Sequence, residues 1–342
     1  MNKLLDKLIN EHSLSADEWK ALIEDDSEDD ELFALARKAR DGVYGRKVFL
    51  RGLVEFTSFC RNDCYYCGLR KSNTHAQRYR LSPAEICKAV QAGYEAGFRS
   101  FVLQGGEDLY FSDERMVEII EEIKKSFPDA ALILSIGERP EESYLKMRRA
   151  GADRYLLRHE TADEVHYHVL HPESLSLSNR MECLRTLKKI GYQTGAGMMV
   201  GSPGSTSATL AEDMLFISSL KPEMVGIGPF LPHHDTPFAD CRAGSIALTL
   251  RMIALVRLLN PHIMLPSTTA LGTADEDGTF KGLEAGANVI MPNITPSGLR
   301  DKYLLYDNKK ITGLEAGENI SQLSSELEMH GYEVSLTRGD YK

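Results

Sequence analysis

Three cysteines lie close together in the segment Phe59 to Gly68, which reads FCRNDCYYCG. Cys60, Cys64 and Cys67 follow a C-x3-C-x2-C spacing, so their thiolates can reach one metal centre. A closed zinc site takes four ligands, and no other cysteine or histidine lies within ten residues before this motif or seven after it. A 4Fe-4S cluster is the alternative, because three thiolates leave its fourth iron open to another molecule. The sequence therefore favours an iron–sulfur cluster over a structural zinc loop.

The segment before the motif is the first of the elements that would position it. Residues 48–59 are rich in Val, Leu and Phe and are predicted to form a strand. The cysteines follow this strand directly. The cluster would then lie at the carboxyl end of a strand, which is where barrel enzymes place their chemistry.

Strand-like and helix-like segments alternate along most of the chain. Helix starts are well marked, for example by Ser82-Pro83-Ala84-Glu85, which combines an N-cap, a proline at the first helical position and a capping-box glutamate. Helix ends are marked by glycines that turn the chain towards the next strand. These glycines are Gly97, Gly151, Gly191 and Gly286. The eight predicted strands are Val48–Phe59, Ser100–Gly105, Ala131–Gly137, Arg154–His159, Thr194–Gly201, Met224–Leu231, Ile263–Thr269 and Asn288–Asn293.

This alternation predicts an α/β fold. Parallel strands with right-handed helical crossovers, eight in number, suggest a (βα)8 TIM-type barrel, and an open doubly wound sheet is the alternative. The predicted organisation is an N-terminal helical extension over residues 1–45, the barrel over residues 46–306 and a short C-terminal tail over residues 307–342. The extension is expected to cover the bottom of the barrel, and the polar tail to pack outside it.

Composition limits the classes of function. At 342 residues with 42% hydrophobic content, the chain can bury one large core or two modest ones. A formal net charge of −10 without a basic stripe argues against a nucleic-acid partner. No apolar run is long enough to span a membrane and the amino terminus is charged, so we expect a cytoplasmic protein without a membrane partner. The other cysteines, Cys87, Cys183 and Cys241, are scattered and are expected to be reduced thiols.

Polar groups mark the ends of the second and fourth predicted strands. At the end of the second, Gln104-Gly105-Gly106-Glu107 offers glycines that admit a ligand close to the backbone and a carboxylate that can accept hydrogen bonds from an ammonium group. A simple strand-to-helix turn is the alternative. Arg158 and Glu160 end the fourth strand, where charges are costly unless they are paired or bound to a ligand. Arg180 opens the following helix and could meet a ligand carboxylate or remain a solvated helix residue.

Side-chain alternation places polar and polarizable groups inside the predicted barrel. Arg51 and Glu55 lie four apart on the first strand and share a face. The Arg51 guanidinium is expected either to pair with Glu55 or to face a bound anion. Further candidates for the wall of the cavity are Ser135, Met199, Met224, Thr268, Thr269 and Met291. Each methionine could equally belong to an ordinary core.

The cysteine spacing, with an aromatic residue before the last cysteine, resembles the signature of the radical S-adenosylmethionine (SAM) enzymes. Longer segments are similar to the FeFe-hydrogenase maturase HydE family, which belongs to the biotin synthase and methylornithine synthase group and has a (βα)8 barrel. The similar segments are CRNDCYYCGLR (60–70), QGGED (104–108), LRHET (157–161), GAGMMVG (195–201), VGIGPFLP (225–232), HDTP (234–237), STTA (267–270) and NVIMPNITPS (288–297). They are spread over residues 45–306, at every predicted strand end.

The resemblance implies a 4Fe-4S cluster on the three cysteines and SAM as second cofactor. The residues implied to contact SAM are Tyr66, Gly105, Gly106, Glu107, Ser135, Glu160, Arg180 and Met199. Those implied to contact the substrate are Arg51, Gln104, Arg158, Met224, Thr268, Thr269, Met291 and Tyr303. Some members hold a second cluster on cysteines after the last strand, but no cysteine follows Cys241 here, so we do not expect that cluster.

The implied activity is reductive cleavage of SAM and action on a small organometallic iron precursor that carries cysteine, CO and cyanide, during assembly of the hydrogenase H-cluster. The resemblance also implies a flavodoxin- or ferredoxin-type electron donor, and other hydrogenase maturases as partners. Two alternatives remain open. One is a methylornithine-synthase-like mutase that acts on an amino acid, and the other is a scaffold that passes on an iron synthon without SAM chemistry.

Overall fold

Strands and helices alternate through the chain. The computed structural model describes residues 3–310 and 318–342, so residues 1–2 and residues 311–317 of the predicted tail lie outside the described part. The strands are β1 (Lys47–Leu50), β2 (Gly52–Thr57), β3 (Ser100–Gly105), β4 (Ala131–Ser135), β5 (Arg154–Leu156), β6 (Gln193–Val200), β7 (Met224–Pro229), β8 (Val289–Ile290) and β9 (Glu333–Ser335). The helices are α1 (Lys3–Glu11), α2 (Ala16–Glu24), α3 (Asp29–Tyr44), α4 (Pro83–Glu95), α5 (Asp113–Ser126), α6 (Glu141–Ala150), α7 (Glu164–Leu170), α8 (Leu177–Ile190), α9 (Ser207–Leu220), α10 (Ile246–Leu259), α11 (Thr269–Ala274), α12 (Gly278–Glu284) and α13 (Glu318–Met329), with a 3-10 helix at Ser297–Lys302.

The predicted helix boundaries are confirmed. Pro83 is the first residue of α4, the Ser82 hydroxyl accepts a hydrogen bond from the Glu85 backbone N–H, and the Glu85 carboxylate accepts one from the Ser82 N–H. The predicted terminal glycines follow α4, α6, α8 and α12, each with a positive φ. These local signals fix where each helix turns towards the next strand.

The parallel strands close into a ring. Strands β2 to β7 form one sheet in chain order, and β8, β1 and β9 form a second. Single bridges join the two sheets between Met224 and Met264, Pro266 and Val289, and Leu53 and Asn293. The (βα)8 barrel is therefore confirmed, and the open doubly wound sheet is excluded because its edges would not meet.

The seventh and eighth barrel strands are less regular than predicted. The segment predicted at Ile263–Thr269 contributes bridges only, and the eighth strand keeps two residues. Pro266 and Pro292 lie in these segments, and neither can donate a ladder hydrogen bond. Their carbonyl groups can still accept hydrogen bonds from the neighbouring strand, and the Pro292 carbonyl oxygen accepts one from the Leu53 N–H at 2.8 Å.

The barrel interior is only partly filled. One cluster of apolar side chains, Leu53, Val102 and Ile133, packs with the partly exposed Leu156 and Met291. The wall formed by β6 and β7 is instead built from glycines at alternate positions, Gly195 and Gly197 on β6 and Gly226 and Gly228 on β7. Barrel interiors are usually packed with bulky branched side chains, whereas here the glycines make room for Leu156, Arg158 and Thr268, whose atoms a Cβ on this wall would approach.

Both terminal segments contact the bottom of the barrel. Helices α2 and α3 pack against the outer helices α9 and α10, and Tyr44 of α3 donates to the His262 carbonyl oxygen directly before the seventh predicted strand. The C-terminal strand β9 pairs with β1, and Arg338 and Asp340 bind Asp153 and Arg154 where β5 begins. The tail therefore shares this end of the barrel with the N-terminal extension. None of the helices in residues 3–310 and 318–342 is long and apolar enough to cross a membrane.

Candidate active site

A cavity of about 270 Å³ lies at the carboxyl ends of the strands. The three cysteines line it, together with all eight residues assigned to SAM: Tyr66, Gly105, Gly106, Glu107, Ser135, Glu160, Arg180 and Met199. Three of the residues assigned to the substrate, Gln104, Arg158 and Tyr303, also lie in its wall. The fold thus brings these residues together from four strand ends, the cysteine loop, α8 and the segment after the 3-10 helix.

The cysteine loop is fixed by backbone hydrogen bonds to three parts of the molecule. The Arg61 N–H donates to the Glu107 oxygen after β3 at 2.9 Å, and the Tyr65 N–H donates to the last residue of α7, Leu170, at 2.9 Å. The Gly68 N–H donates to the Leu305 oxygen at 2.8 Å. The loop is therefore held in place independently of any metal.

The three thiols suit an iron–sulfur cluster. Burial raises the pKa of each thiol, that of Cys67 to about 12, and neighbouring thiols add to the rise at Cys64 and Cys67. Deprotonation therefore requires a strong local positive charge, which metal ligation supplies. Three thiolates are the set that a 4Fe-4S cluster with one open iron takes, whereas a closed zinc site takes four ligands.

Gly106 and Glu107 bring the end of β3 against the cysteine loop. A Cβ atom at Gly106 would lie 2.2 Å from the Phe59 carbonyl oxygen and 2.8 Å from the Cys60 Cβ atom. The Glu107 carboxylate accepts hydrogen bonds from Arg61 Nε at 3.0 Å and from the Glu138 N–H at 2.9 Å. A carboxylate offers about four acceptor positions, so two such bonds leave capacity for a ligand ammonium group.

Glu160 and Arg158 face the cavity from the end of the fourth barrel strand. Arg158 Nη2 donates to the Met198 carbonyl oxygen at 2.7 Å and lies 3.0 Å from Glu160 Oε2, although this ion pair is not aligned as a hydrogen bond. Arg158 Nε has no hydrogen-bond partner among the described residues. The Arg158 side chain lies over Gly197 and Gly226, since a Cβ atom at either glycine would approach it. The glycine wall therefore makes space for this arginine.

Arg180 is buried, so the interpretation as a solvated helix residue is wrong. Its Nε donates to Glu138 Oε1 at 2.5 Å and its Nη1 to the Arg158 carbonyl oxygen at 3.1 Å. Burial alone would lower the pKa of Arg180, but Glu138, Tyr167, Glu107 and Tyr66 together raise it above its ordinary value. The guanidinium is thus a permanent cation in the cavity wall.

The remaining residues assigned to the substrate lie away from this cavity wall. Arg51 and Met224 are buried deeper in the barrel, where Arg51 Nη1 approaches the Met224 sulfur at 3.1 Å. Met291 packs beside Met224, and Thr268 donates to the Ile227 carbonyl oxygen at 3.3 Å. Thr269 begins α11. Arg51 and Met224 thus lie where β2 and β7 begin, whereas Thr268 and Thr269 lie at the end of the seventh predicted strand.

Arg51 and Glu55 do not form the pair that was one of the two predicted possibilities. The Glu55 carboxylate instead binds Lys309 Nζ at 2.5 Å and Asn293 Nδ2 at 2.8 Å. Four residues on a strand span about 13 Å, which is beyond the reach of an ion pair. Arg51 Nε and Nη2 have no hydrogen-bond partner among the described residues. The guanidinium therefore remains available for an anion.

The Glu55–Lys309 pair gives a stability prediction. We expect Lys309→Met to lower the free energy of unfolding by about 3–5 kcal/mol, because it leaves a buried carboxylate unpaired. Burial raises the pKa of Glu55 and Lys309 opposes this, so the variant should raise that pKa further. When the pKa of Glu55 is higher in the folded than in the unfolded protein, the free energy of unfolding falls as the pH rises above the unfolded-state pKa. Urea denaturation should therefore show a larger destabilisation of the variant at pH 8 than at pH 5. The double variant Glu55→Gln/Lys309→Met should recover most of the stability lost in Lys309→Met. An equal loss at both pH values would show that the unpaired Glu55 carboxylate is not the cause.

Two functional candidates were not found by reading the sequence. Glu138 binds Arg180 and follows Gly137 at the end of the third predicted strand, so the strand-end argument that identified Glu107 would also have identified it. Lys309 lies in the predicted tail, and no local signal connects it with Glu55.

The histidines after β7 form a rim contact. His234 Nδ1 lies 2.6 Å from an Asp307 carboxylate oxygen, and His233 lies close enough for the three residues to resemble a metal site. However, His233 Nδ1 accepts a hydrogen bond from the Asp235 N–H at 3.0 Å. The neutral ring then carries its proton on Nε2, which prevents that nitrogen from binding a metal. This group therefore connects the loop after β7 with the segment around Asp307.

Comparison with known proteins identifies the family. The profile described as the radical SAM superfamily matches residues 54–217. The FeFe-hydrogenase maturase subunit HydE of Thermotoga maritima is 48% identical over 278 residues, which cover 81% of this chain and 79% of that protein. The chain belongs to the radical SAM superfamily. As a radical SAM enzyme it uses a 4Fe-4S cluster bound by three cysteines together with SAM, and the C-x3-C-x2-C run of residues 60–67 is the motif for that cluster.

Two further radical SAM relatives share most of the chain. The 3-methylornithine synthase of Methanosarcina acetivorans is 32% identical over 301 residues, covering 87% of this chain and 84% of that protein. The crystal structure of methylornithine synthase (PylB) superimposes with a TM-score of 0.82 at 28% sequence identity and covers 97% of both chains. The barrel and its flanking segments are thus shared with enzymes that act on different substrates.

Proposed function

We propose that this radical SAM enzyme acts in maturation of FeFe-hydrogenase, on a small organometallic iron precursor held in its barrel. The observation that carries the proposal is the similarity to HydE at 48% identity, in a chain whose cysteine loop lines a cavity at the mouth of the barrel. A flavodoxin- or ferredoxin-type protein would supply electrons, and other hydrogenase maturases would be the further partners.

Each residue of the cavity has a defined task in this proposal. Cys60, Cys64 and Cys67 hold the cluster and leave one iron open. Glu160 would accept hydrogen bonds from the ribose of SAM, the Gly106-Glu107 turn would hold its ammonium group, and Arg180 would meet its carboxylate. When bound, the cluster supplies the electron that cleaves SAM to methionine and a 5′-deoxyadenosyl radical. The remaining cavity residues, Tyr66, Gly105, Ser135 and Met199, would line the SAM site and exclude water.

The residues assigned to the substrate would line its binding site inside the barrel. Arg51 is buried with two nitrogens unpartnered among the described residues, and Arg158 Nε is also unpartnered. Two such cations favour a compact anionic ligand, and the glycine wall makes space for the Arg158 side chain that would meet it. The proposed contacts are Arg51, Gln104, Arg158, Met224, Thr268, Thr269, Met291 and Tyr303.

A second candidate is a mutase that makes methylornithine from an amino acid. It is favoured by the fold shared with methylornithine synthase over 97% of both chains. Two assays separate the candidates. Omission of this protein alone from an in vitro maturation mixture should leave the hydrogenase inactive, and no 3-methylornithine should form when the reduced protein is incubated with SAM and amino acids. An active hydrogenase in the omission experiment would overturn the proposal.

The SAM site can be tested at Glu160. We expect Glu160→Gln to weaken SAM binding by about 1–3 kcal/mol, the usual cost of losing a charged hydrogen-bond partner, while cluster content stays the same. Isothermal titration of the reconstituted protein with SAM measures the effect. Glu164→Gln, an exposed glutamate four residues later on α7, is the matched control and should bind SAM as wild type does.

A further inference from the structure

Glu160 adopts a backbone conformation that non-glycine residues rarely take. Its φ is +65°, in the left-handed region, where the side chain crowds the backbone. Its N–H donates to the Gly197 carbonyl oxygen at 3.0 Å and its carbonyl oxygen accepts from the Met199 N–H at 3.1 Å. Such residues persist only where the surrounding structure holds them. The contacts on either side of Glu160 should therefore include groups that maintain this conformation.

Asp213 on α9 makes contacts on both sides of Glu160. Its Oδ1 accepts a hydrogen bond from the Ala162 N–H at 2.6 Å, and the same oxygen lies 3.2 Å from His159 Nε2, within ion-pair distance although off the ideal hydrogen-bond line. Both side chains are buried, with 0% of His159 and 1% of Asp213 exposed. One carboxylate oxygen thus bridges the residues that precede and follow the strained position.

The histidine is oriented for this contact. His159 Nδ1 accepts a hydrogen bond from the Gly197 N–H at 3.3 Å, so the neutral ring carries its proton on Nε2, facing Asp213. The next residues are also fixed, because Thr161 Oγ1 lies 3.0 Å from His166 Nδ1 and Ser202 Oγ lies 3.0 Å from His166 Nε2. Residues 159–162 are therefore bound on both sides of Glu160 by buried side chains that do not line the cavity.

We infer that Asp213 is a positioning residue for Glu160: it bridges His159 and Ala162 and so keeps the Glu160 carboxylate in place for SAM. A buried carboxyl group such as that of Asp213 is costly unless it has polar partners. Its two partners, His159 and Ala162, lie on either side of Glu160. The inference rests on the proposed role of Glu160 in SAM binding. It adds a residue from outside the cavity to the groups that determine SAM affinity.

A double-mutant cycle tests the inference, with titration of the reconstituted protein with SAM as readout. We expect Asp213→Ala to lower SAM affinity at least about tenfold, whereas in the Glu160→Gln background it should lower it less than about twofold. The EPR change of the reduced cluster on SAM addition should be lost in parallel. Iron content should match that of the wild type. His159→Phe removes the same bridge from its other side, should show the same dependence on Glu160, and replaces Asp213→Ala if that variant does not fold.

Met214→Ala is the matched control, because Met214 is the next residue of α9 and is fully buried in the core. It should lower the unfolding temperature without changing SAM affinity. An equal loss of affinity in both Glu160 backgrounds, or no loss, would overturn the inference. If Glu160→Gln itself binds SAM as wild type does, the proposed role of Glu160 fails instead, so the two failures are distinguishable.

Discussion

Replacement of Cys64 by alanine should abolish the cluster and every activity that depends on it. The wild-type protein should hold about four irons per chain after anaerobic reconstitution. Cys64 lies in the middle of the only C-x3-C-x2-C run of the sequence, and burial together with the charges of Cys67 and Cys60 raises its pKa. The two remaining thiols cannot hold three irons. Iron and sulfide analysis, visible absorption and EPR spectra measure the loss, and SAM cleavage should fall to background.

The matched control is Cys87→Ala. Cys87 is a free, partly buried cysteine on α4, away from the cysteine loop, and should be dispensable. Its variant should keep the full iron content and spectrum. A full cluster in Cys64→Ala would show that other residues bind the iron, and the assignment of the loop would then be wrong.

The cysteine motif shows what a sequence can reveal unaided. Its ligands lie in one short loop, so spacing alone brings them together, and the strand before it places them at the mouth of the barrel. The same logic held at Gly106-Glu107 and at Glu160, because the carboxyl ends of parallel strands meet on one side of a barrel. Glu138 obeys the same rule, and only the boundary chosen for the third strand left it out.

Contacts between distant segments could not be predicted from the sequence. Lys309 and Glu55 are separated by 254 positions, and no pattern in either segment reveals their meeting. The bridge from Asp213 to His159 and Ala162 also joins a helix to a strand end through tertiary packing. The irregular seventh and eighth strands have a local cause, which is the presence of Pro266 and Pro292. Only the bridges between the two sheets show that the barrel still closes.

Arg51→Met should separate substrate binding from every other property of the enzyme. Arg51 is 4% exposed, and burial and the charge of Arg154 lower its pKa. A buried cation without a full set of partners costs stability, and an apolar side chain of similar length is often neutral or stabilising in its place. We therefore expect the variant to unfold at the same or higher temperature, to keep its cluster and to cleave SAM without substrate, while hydrogenase maturation falls at least about tenfold.

Arg154 provides the matched contrast, because it is also buried in the barrel but is ion-paired with a carboxylate. Its guanidinium binds Asp340 at 2.7 Å and the Arg338 carbonyl oxygen at 2.9 Å. Arg154→Met should remove the bonds to Asp340 and to the Arg338 carbonyl oxygen, while Arg338 still holds Asp153 and Asp340, so we expect a loss of about 1–3 kcal/mol in unfolding free energy. All activities should then fall together with the amount of folded protein.

The two arginine variants thus have opposite signatures. Because Glu55 is already paired with Lys309 and Asn293, Arg51→Met leaves that carboxylate with its partners and removes only a contact to the Met224 sulfur among those described. Thermal unfolding, iron content, SAM cleavage without substrate and in vitro maturation, measured on the same preparations, distinguish the cases. If Arg51→Met is as unstable as Arg154→Met and loses all activities in proportion, Arg51 is a structural residue and the anionic substrate must be held elsewhere in the barrel.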